Sequence, residues 1–176
     1  MKTLVLALGN PLCGDDGWGA LVVAEAQRRF ASSPLRTLQD VVFQDGASAG
    51  FELALLWEGF EAVVLVDVVR QGHAPGEMHC LSRAALLRER AGRMLDVHAA
   101  GLLDALALSE ALGSLPAELC LIGAEPHSVE VGAPVSEALV SAIPRAANLV
   151  LEELARLDRR QASSAGLAPS FPAGRG

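Results

Sequence analysis

Short apolar strands alternating with helical segments predict an α/β fold for this chain. The expected form is a three-layer sandwich: a twisted, mostly parallel sheet of about five strands with helices on both faces. Three observations carry the prediction. The apolar run Thr3–Leu8 leads into a glycine-punctuated loop and then a helix. Ala62–Val69 is a second run of strand length, apolar except for Asp67. Pro134–Leu157 keeps Val135, Leu139, Ile143, Ala146, Val150, Leu154 and Leu157 at three-to-four spacing, the pattern of a long helix with one buried face.

The remaining elements follow in order. Asp16 to Phe30 reads as a helix, with Leu21, Val22, Ala26 and Phe30 near helical spacing and Ser32-Ser33-Pro34 as its stop. Leu38–Phe43 reads as a strand that ends in a small-residue loop, Gln44 to Gly50, with a short helix Phe51–Trp57 after it. Past the turn-rich stretch Gln71–Gly76, Met78–Leu81 suits an edge strand, the one place where an antiparallel partner is expected, and Arg83–Ala91 a short helix. An apolar helix is expected from about Ala99 to Leu112, then a strand at Glu118–Ala124. Pro144 should kink or split the long last helix. Residues 1–158 are read as one domain, and the Arg-Arg then Ser/Ala/Gly/Pro-rich stretch 159–176 as a disordered tail.

Composition removes several classes of function. With 176 residues and 51% hydrophobic content, one domain can bury roughly 70% of its unfolded surface. No apolar run reaches the ~18 residues that span a bilayer, and the N-terminus does not read as a signal peptide, so no membrane is expected. A net charge of −7, no Tyr and only 4% aromatics argue against a nucleic-acid partner and its stacking platform. The cysteines Cys13, Cys80 and Cys120 are odd in number and widely spaced, which suits a reducing cytoplasm and not a disulfide framework. Because the long apolar helices can be covered within one chain, a monomer is expected.

The loop Gly9-Asn10-Pro11-Leu12-Cys13-Gly14-Asp15-Asp16-Gly17-Trp18-Gly19 carries the most chemistry. In open α/β sheets, ligands bind beyond the carboxyl ends of the strands, and this loop sets two acids there. They would repel phosphate and attract a cation, unlike a phosphate-binding loop of bare N–H groups. Asp67 stands near the carboxyl end of the most buried-looking strand. A carboxylate there costs several kcal/mol unless it is paired, ligating or at the mouth of the sheet. His98 stands just before a helix. Asp16, Asp67 and His98 together offer two carboxylates and an imidazole, a donor set for a divalent metal with open positions.

Each of these residues has a plainer reading. Asp16 suits a helix start, His98 a surface or hydrogen-bonded histidine, and Asp96 an N-cap or a partner that orients His98. Asp45 suits a turn former or a site wall, and Asp15 a solvated neighbour or an orienting group. Cys13 is expected to be an ordinary loop residue. His73, His79 and His127 have no partner pattern and default to the surface. Gly9, Gly17 and Gly19 suit tight turns and close packing.

These residues also resemble a known family. Gly9-Asn10-Pro11-Leu12, Asp15-Asp16-Gly17 and Gly19 are similar to the N-terminal signature of the hydrogenase maturation proteases. These enzymes remove a C-terminal peptide from the large subunit of nickel–iron hydrogenases. Asp45-Gly46 with Gly50, Val64-Leu65-Val66-Asp67, His98 with Gly101-Leu102, and Gly123 with Pro126 resemble the family's later motifs in the right order, over roughly Thr3 to Leu157. The resemblance implies that Asp16, Asp67 and His98 are the catalytic and metal-binding trio, with Gly9, Asn10, Asp15 and Asp45 in support. It implies nickel supplied by the substrate, no organic cofactor, and a large-subunit precursor as partner. The family's small aliphatic residue is replaced by Trp18, which either narrows the site or packs inward. Two other readings stand beside it: a nickel-checking chaperone that binds the large subunit without cutting it, and a peptidyl-tRNA hydrolase-like enzyme. The second lacks His or Asn in residues 15–30 and a basic surface.

Overall fold

The computed structural model describes residues 1–46, 50, 52–92 and 97–165. Five strands, β1 (Thr3–Ala7), β2 (Val41–Asp45), β3 (Ala62–Val68), β4 (Met78–Ser82) and β5 (Glu118–Ala124), form one sheet in the order β2-β1-β3-β5-β4. All neighbours are parallel except β4, which runs antiparallel to β5 at the edge. Helices α1 (Trp18–Ala31) and α5 (Glu137–Ala165) cover one face. Helices α2 (Leu53–Leu56), α3 (Arg83–Gly92) and α4 (Val97–Leu112) cover the other. This is the predicted three-layer architecture.

Strand alternation explains the two cores. Val64, Val66 and Val68 face α1 and α5, packing with Val22, Ala26, Ala146 and Val150. Val63, Leu65 and Val69 face the other layer, with Leu53, Leu86, Leu102 and Leu106. Because β3 and β5 are covered on both faces, they read as continuous apolar runs. Asp67 shares the parity of Leu65 and Val69, so it projects towards the layer that contains α4.

Several boundaries differ from the sequence expectation. A 3₁₀ turn at Gly14–Gly17 precedes α1, so Asp15 and Asp16 sit in that turn and not in the α-helix. Strand β2 begins at Val41, not Leu38, because Pro34–Thr37 forms another 3₁₀ turn, started by Ser33 Oγ accepting from Leu35 N at 3.2 Å. The short helix is confined to Leu53–Leu56, and Phe51 lies outside the described residues. Helix α5 starts at Glu137 and runs through Pro144 without splitting. Nearby, Trp18 Nε1 donates to Leu139 O at 2.9 Å, tying α1 to this stretch of α5. Trp18 is fully buried, so it packs inward and does not narrow the site.

Helix α5 also extends to Ala165, so residues 159–165, expected in the tail, are helical. Ala, Arg and Gln favour helix there, and Arg156 and Arg160 reach Glu118 at the start of β5, each at 2.9 Å. Residues 166–176 lie outside the described residues.

Gly19 sets how closely α1 approaches the sheet. A Cβ at this position would lie 2.6 Å from the carbonyl oxygens of both Leu8 and Val66. Gly19→Ala should therefore push α1 off β1 and β3. The expected cost is about 2 kcal/mol, a fall of roughly 4–8 °C in melting midpoint, read by calorimetry.

Candidate functional site

The candidate residues gather at the carboxyl end of the parallel strands. Asp67 is the penultimate residue of β3, with Gly123 of β5 as its register partner. Ala7, which ends β1, lies between Val66 of β3 and Asp45 of β2. The loop after β1 therefore rises beside Asp67, with Asp45 on its other side as the exposed last residue of β2.

That loop is folded tightly around Asp16. Gly9 has φ +102°, and a Cβ there would come within 2.0 Å of Asp16 O, so only glycine fits. Asn10 N donates to Asp16 Oδ2 at 2.7 Å, while Asn10 Oδ1 accepts from Leu12 N at 3.0 Å. Cys13 is half-buried, and its carbonyl accepts from Asp16 N at 3.0 Å, which makes it part of the turn. Asp16 is buried with one oxygen fixed in this way. Its charge adds to the rise of Asp67, so the two carboxylates are electrostatic neighbours.

Asp67 accepts one hydrogen bond among the described residues, from its own neighbour Val68 N to Oδ1 at 2.7 Å. Burial pushes its carboxyl up, and Asp16 adds to the effect while Val68 N opposes it, leaving the pKa at about 8. Asp67 is thus protonated at neutral pH in the free protein, with few donors to compensate an ionised form.

Asp15 is the opposite case, and the structure corrects the expectation of a solvated neighbour. It is fully buried. Its oxygens accept from Ser136 N (2.6 Å), His127 N (2.7 Å), Ser128 N (3.1 Å) and Ser136 Oγ (3.1 Å). Burial alone would raise its pKa, but these donors outweigh burial and hold it below the ordinary 3.8. Asp15 clamps the segment that follows β5 onto the loop that carries Asp16.

Glu125, which sequence reasoning missed, does the same on the other side. It is buried just past β5 and accepts from Gln71 N at 2.7 Å. Burial pushes its pKa up, yet the backbone donors of residues 71, 73 and 72, with His79 nearby, bring it below its usual value. The available signal was an acid directly after a buried strand, the same signal that singled out Asp67. His79 is part-buried and not simply a surface residue as expected, with its Nε2 3.9 Å from Glu125 Oε2. Its neighbour His73 is exposed and lies 3.2 Å from Glu77 through Nδ1. His127 is exposed as expected and contributes only its backbone N–H, to Asp15.

His98 is the second residue of α4. Residues 113–117 connect α4 to the start of β5, so Leu112 lies at the amino end of the sheet. With sixteen residues, α4 is about 24 Å long, which carries its first turn to the carboxyl end, on the face towards which Asp67 projects. The side chain of His98 and the whole of Asp96 lie outside the described residues, as do Ala47, Ser48 and Ala49 of the loop after Asp45. Among the described residues, no three His, Cys, Asp or Glu side chains form a metal cluster. No helix among them is long and apolar enough to cross a membrane.

The two contrasting acids make opposite predictions for stability. Asp67 has a raised pKa, so its contribution is present below about pH 4 and is lost as pH rises through about 8. Asp67→Asn should raise the melting midpoint at pH 8 by roughly 4–8 °C, about 2 kcal/mol, with the gain vanishing near pH 4. Asp15 has a lowered pKa, so its contribution is present at neutral pH and is lost only in acid. Asp15→Asn, which sets an amide donor against N–H donors, should instead cost about 2–3 kcal/mol at pH 7. Melting curves of both variants from pH 4 to pH 8 check the two signs.

Comparison with known proteins bears on the family and the fold. Residues 21–153 match the model of the family described as hydrogenase maturation protease. The chain is 31% identical over 145 residues to the Hydrogenase 2 maturation protease of Escherichia coli K12, covering 80% of this chain and 84% of that protein. It is 30% identical to a hydrogenase expression/formation protein of Thiocapsa roseopersicina, covering 97% of this chain and 77% of the other. The solved structure of a hydrogenase-maturating endopeptidase from E. coli superposes with a TM-score of 0.75. That match has 25% identity and covers 89% of this chain and 93% of the other.

Proposed function

The chain belongs to the hydrogenase maturation protease family, and on that premise we propose that it removes the C-terminal extension of a nickel–iron hydrogenase large-subunit precursor once nickel has been inserted. The observation that carries this reading is the meeting of Asp16 and Asp67 at the carboxyl end of the sheet, close enough for one charge to raise the other's pKa. With His98 in the first turn of α4, on the face Asp67 projects towards, the donor set is two carboxylates and an imidazole. Such a set suits a borderline divalent ion. The ion in this reading is the substrate's nickel, which as a Lewis acid would polarise a carbonyl or activate water.

The residues of the chain do the rest. Asp16 is fixed by Asn10 N, so one oxygen is already committed and the other is directed by the loop. A dication brought beside Asp67 would favour its ionised form, reversing the effect of Asp16. Asp67 would therefore release its proton when the loaded precursor docks and not before. A precursor without nickel leaves two neighbouring carboxyls with no cation between them, which disfavours docking. Recognition and activation would thus depend on the same ion.

The structure contains apolar faces covered by its own helices, which supports action as a monomer. Its free cysteines include Cys13, Cys80 and Cys120, which supports work in a reducing compartment such as the cytoplasm.

Incubating the protein with nickel-loaded and nickel-free precursor, and reading the precursor's mass, tests the proposal. The expected result is loss of a short C-terminal peptide from the loaded form only. Asp16→Ala, Asp67→Ala and His98→Ala should each slow this loss by at least about 100-fold. Equal cleavage of both forms, or normal cleavage by Asp16→Ala, would overturn the nickel-gated reading.

A further inference from the structure

His79 and Glu125 form a titratable pair that the site described above does not use. Asp67, Gly123 and His79 are register partners across β3, β5 and β4, so they stand in one row on one face of the sheet. Val69 fills the gap at Gly123: its Cγ2 would lie 2.6 Å from a Cβ placed there. Val69 also begins the connection from β3 to β4. That connection therefore starts over the row, directly after the Val68 N–H that donates to Asp67.

Residue 125 holds both ends of the connection. Its Oε2 accepts from Gln71 N at 2.7 Å, and the N–H groups of residues 72 and 73 also favour its carboxylate. Its backbone O accepts from Gly76 N and its N donates to Glu77 O, each at 2.8 Å. The same Oε2 lies 3.9 Å from His79 Nε2. The His79 side chain is 10% exposed, and its Nε2 is enclosed with no hydrogen-bond partner among the described residues. The His73 ring lies beside that of His79, centres 4.9 Å apart, and His73 Nδ1 is 3.2 Å from Glu77 Oε1. Arg70 is the remaining charged residue of the connection. The side chains at 89–100, from the end of α3 into α4, lie outside the described residues.

An enclosed imidazole nitrogen beside a carboxylate has two states. Neutral, it leaves Oε2 to Gln71. Protonated, it needs that oxygen as a hydrogen-bond partner, because an enclosed charge is costly unpaired. A charge-assisted bond is about 2.7–2.9 Å long, so roughly 1 Å has to close. If the carboxylate moves, the bond from Gln71 N lengthens. If the ring moves, it leaves His73. Either movement reaches the connection.

We propose that His79 is a positioning residue for the cleavage: on taking a proton it draws Glu125 away from Gln71 and loosens the connection that leaves Asp67, so turnover falls on the acid side. The effect on turnover rests on the protease reading above, and the effect on the connection does not.

An NMR titration of the full chain without substrate, across the histidine range of about pH 5 to 8, reads the connection directly. The amides of Gln71 and Gly72 should shift with the midpoint of the His79 ring and stop doing so in His79→Gln. His73→Gln removes the second histidine and should leave those shifts in place. With nickel-loaded large-subunit precursor, kcat of the wild type should fall at least about threefold across the same midpoint with KM held, and His79→Gln should lack that limb. Amide shifts that survive His79→Gln, or a kcat limb that survives it, would overturn the proposal. If the wild type cuts no precursor, the protease reading fails and the amides alone decide in the same way. Should His79→Gln fail to fold, Glu125→Gln decides, since its amide oxygen can still accept from Gln71 N. The His79 ring should then titrate at lower pH, having lost the carboxylate that favours its charged form, and an unmoved midpoint overturns the proposal.

Discussion

A carboxylate at the end of a buried strand must find hydrogen-bond donors, water or a cation, and this requirement organises the functional end of the molecule. Asp15 and Glu125 meet it with backbone N–H groups drawn from neighbouring loops. In doing so they fold those loops into place. Asp67, among the described residues, meets it with a single N–H from its own neighbour. The result is a rim held by satisfied acids around one acid that remains under-compensated, with its proton retained to about pH 8. A dication would relieve that condition directly, which is what the proposed reading asks of it.

The sheet order makes this arrangement possible. With β1 and β3 adjacent and β5 on the far side of β3, the loops after β1 and β5 both rise over the end of β3. Asp15 closes the gap between them, and Asp16 is left an electrostatic neighbour of Asp67. The antiparallel β4 returns the chain past Glu125, and α4 then descends the face that Asp67 projects towards. The loops after β1 and β5 and the end of β3 thus meet although they lie far apart in the chain.

Much of this was legible in the sequence, and the reasons differ by element. Strands β1, β3 and β5 were plain because burial on both faces leaves no room for polar residues. The start of β2 was misplaced because local turn chemistry at Ser33-Pro34 takes residues that an apolar pattern assigns to the strand. Pro144 does not split α5, and the helix continues past Asp158 through arginines that pair with Glu118, a tertiary contact invisible in the local pattern. In the site, Asp16 and Asp67 stood out as acids in apolar or glycine-rich settings. The role of Asp15 was hidden because its donors are backbone groups more than a hundred residues away. Those donors are N–H groups of His127, Ser128 and Ser136, and no side-chain pattern reports them. Glu125 carried the same signal as Asp67, an acid directly after a buried strand, whereas the partial burial of His79 follows from the packing of β4 beside Glu125 and not from its own neighbours in sequence.

The unequal satisfaction of these acids is the centre of the account, and a carboxyl-detected NMR titration of the free protein reads it directly. The expected result is Asp67 titrating near pH 8 and Asp15 below the ordinary 3.8, with Asp67 moving down when Asp16 is replaced by Asn. An Asp67 that titrates in the ordinary carboxylate range, or that ignores the loss of Asp16, would contradict it.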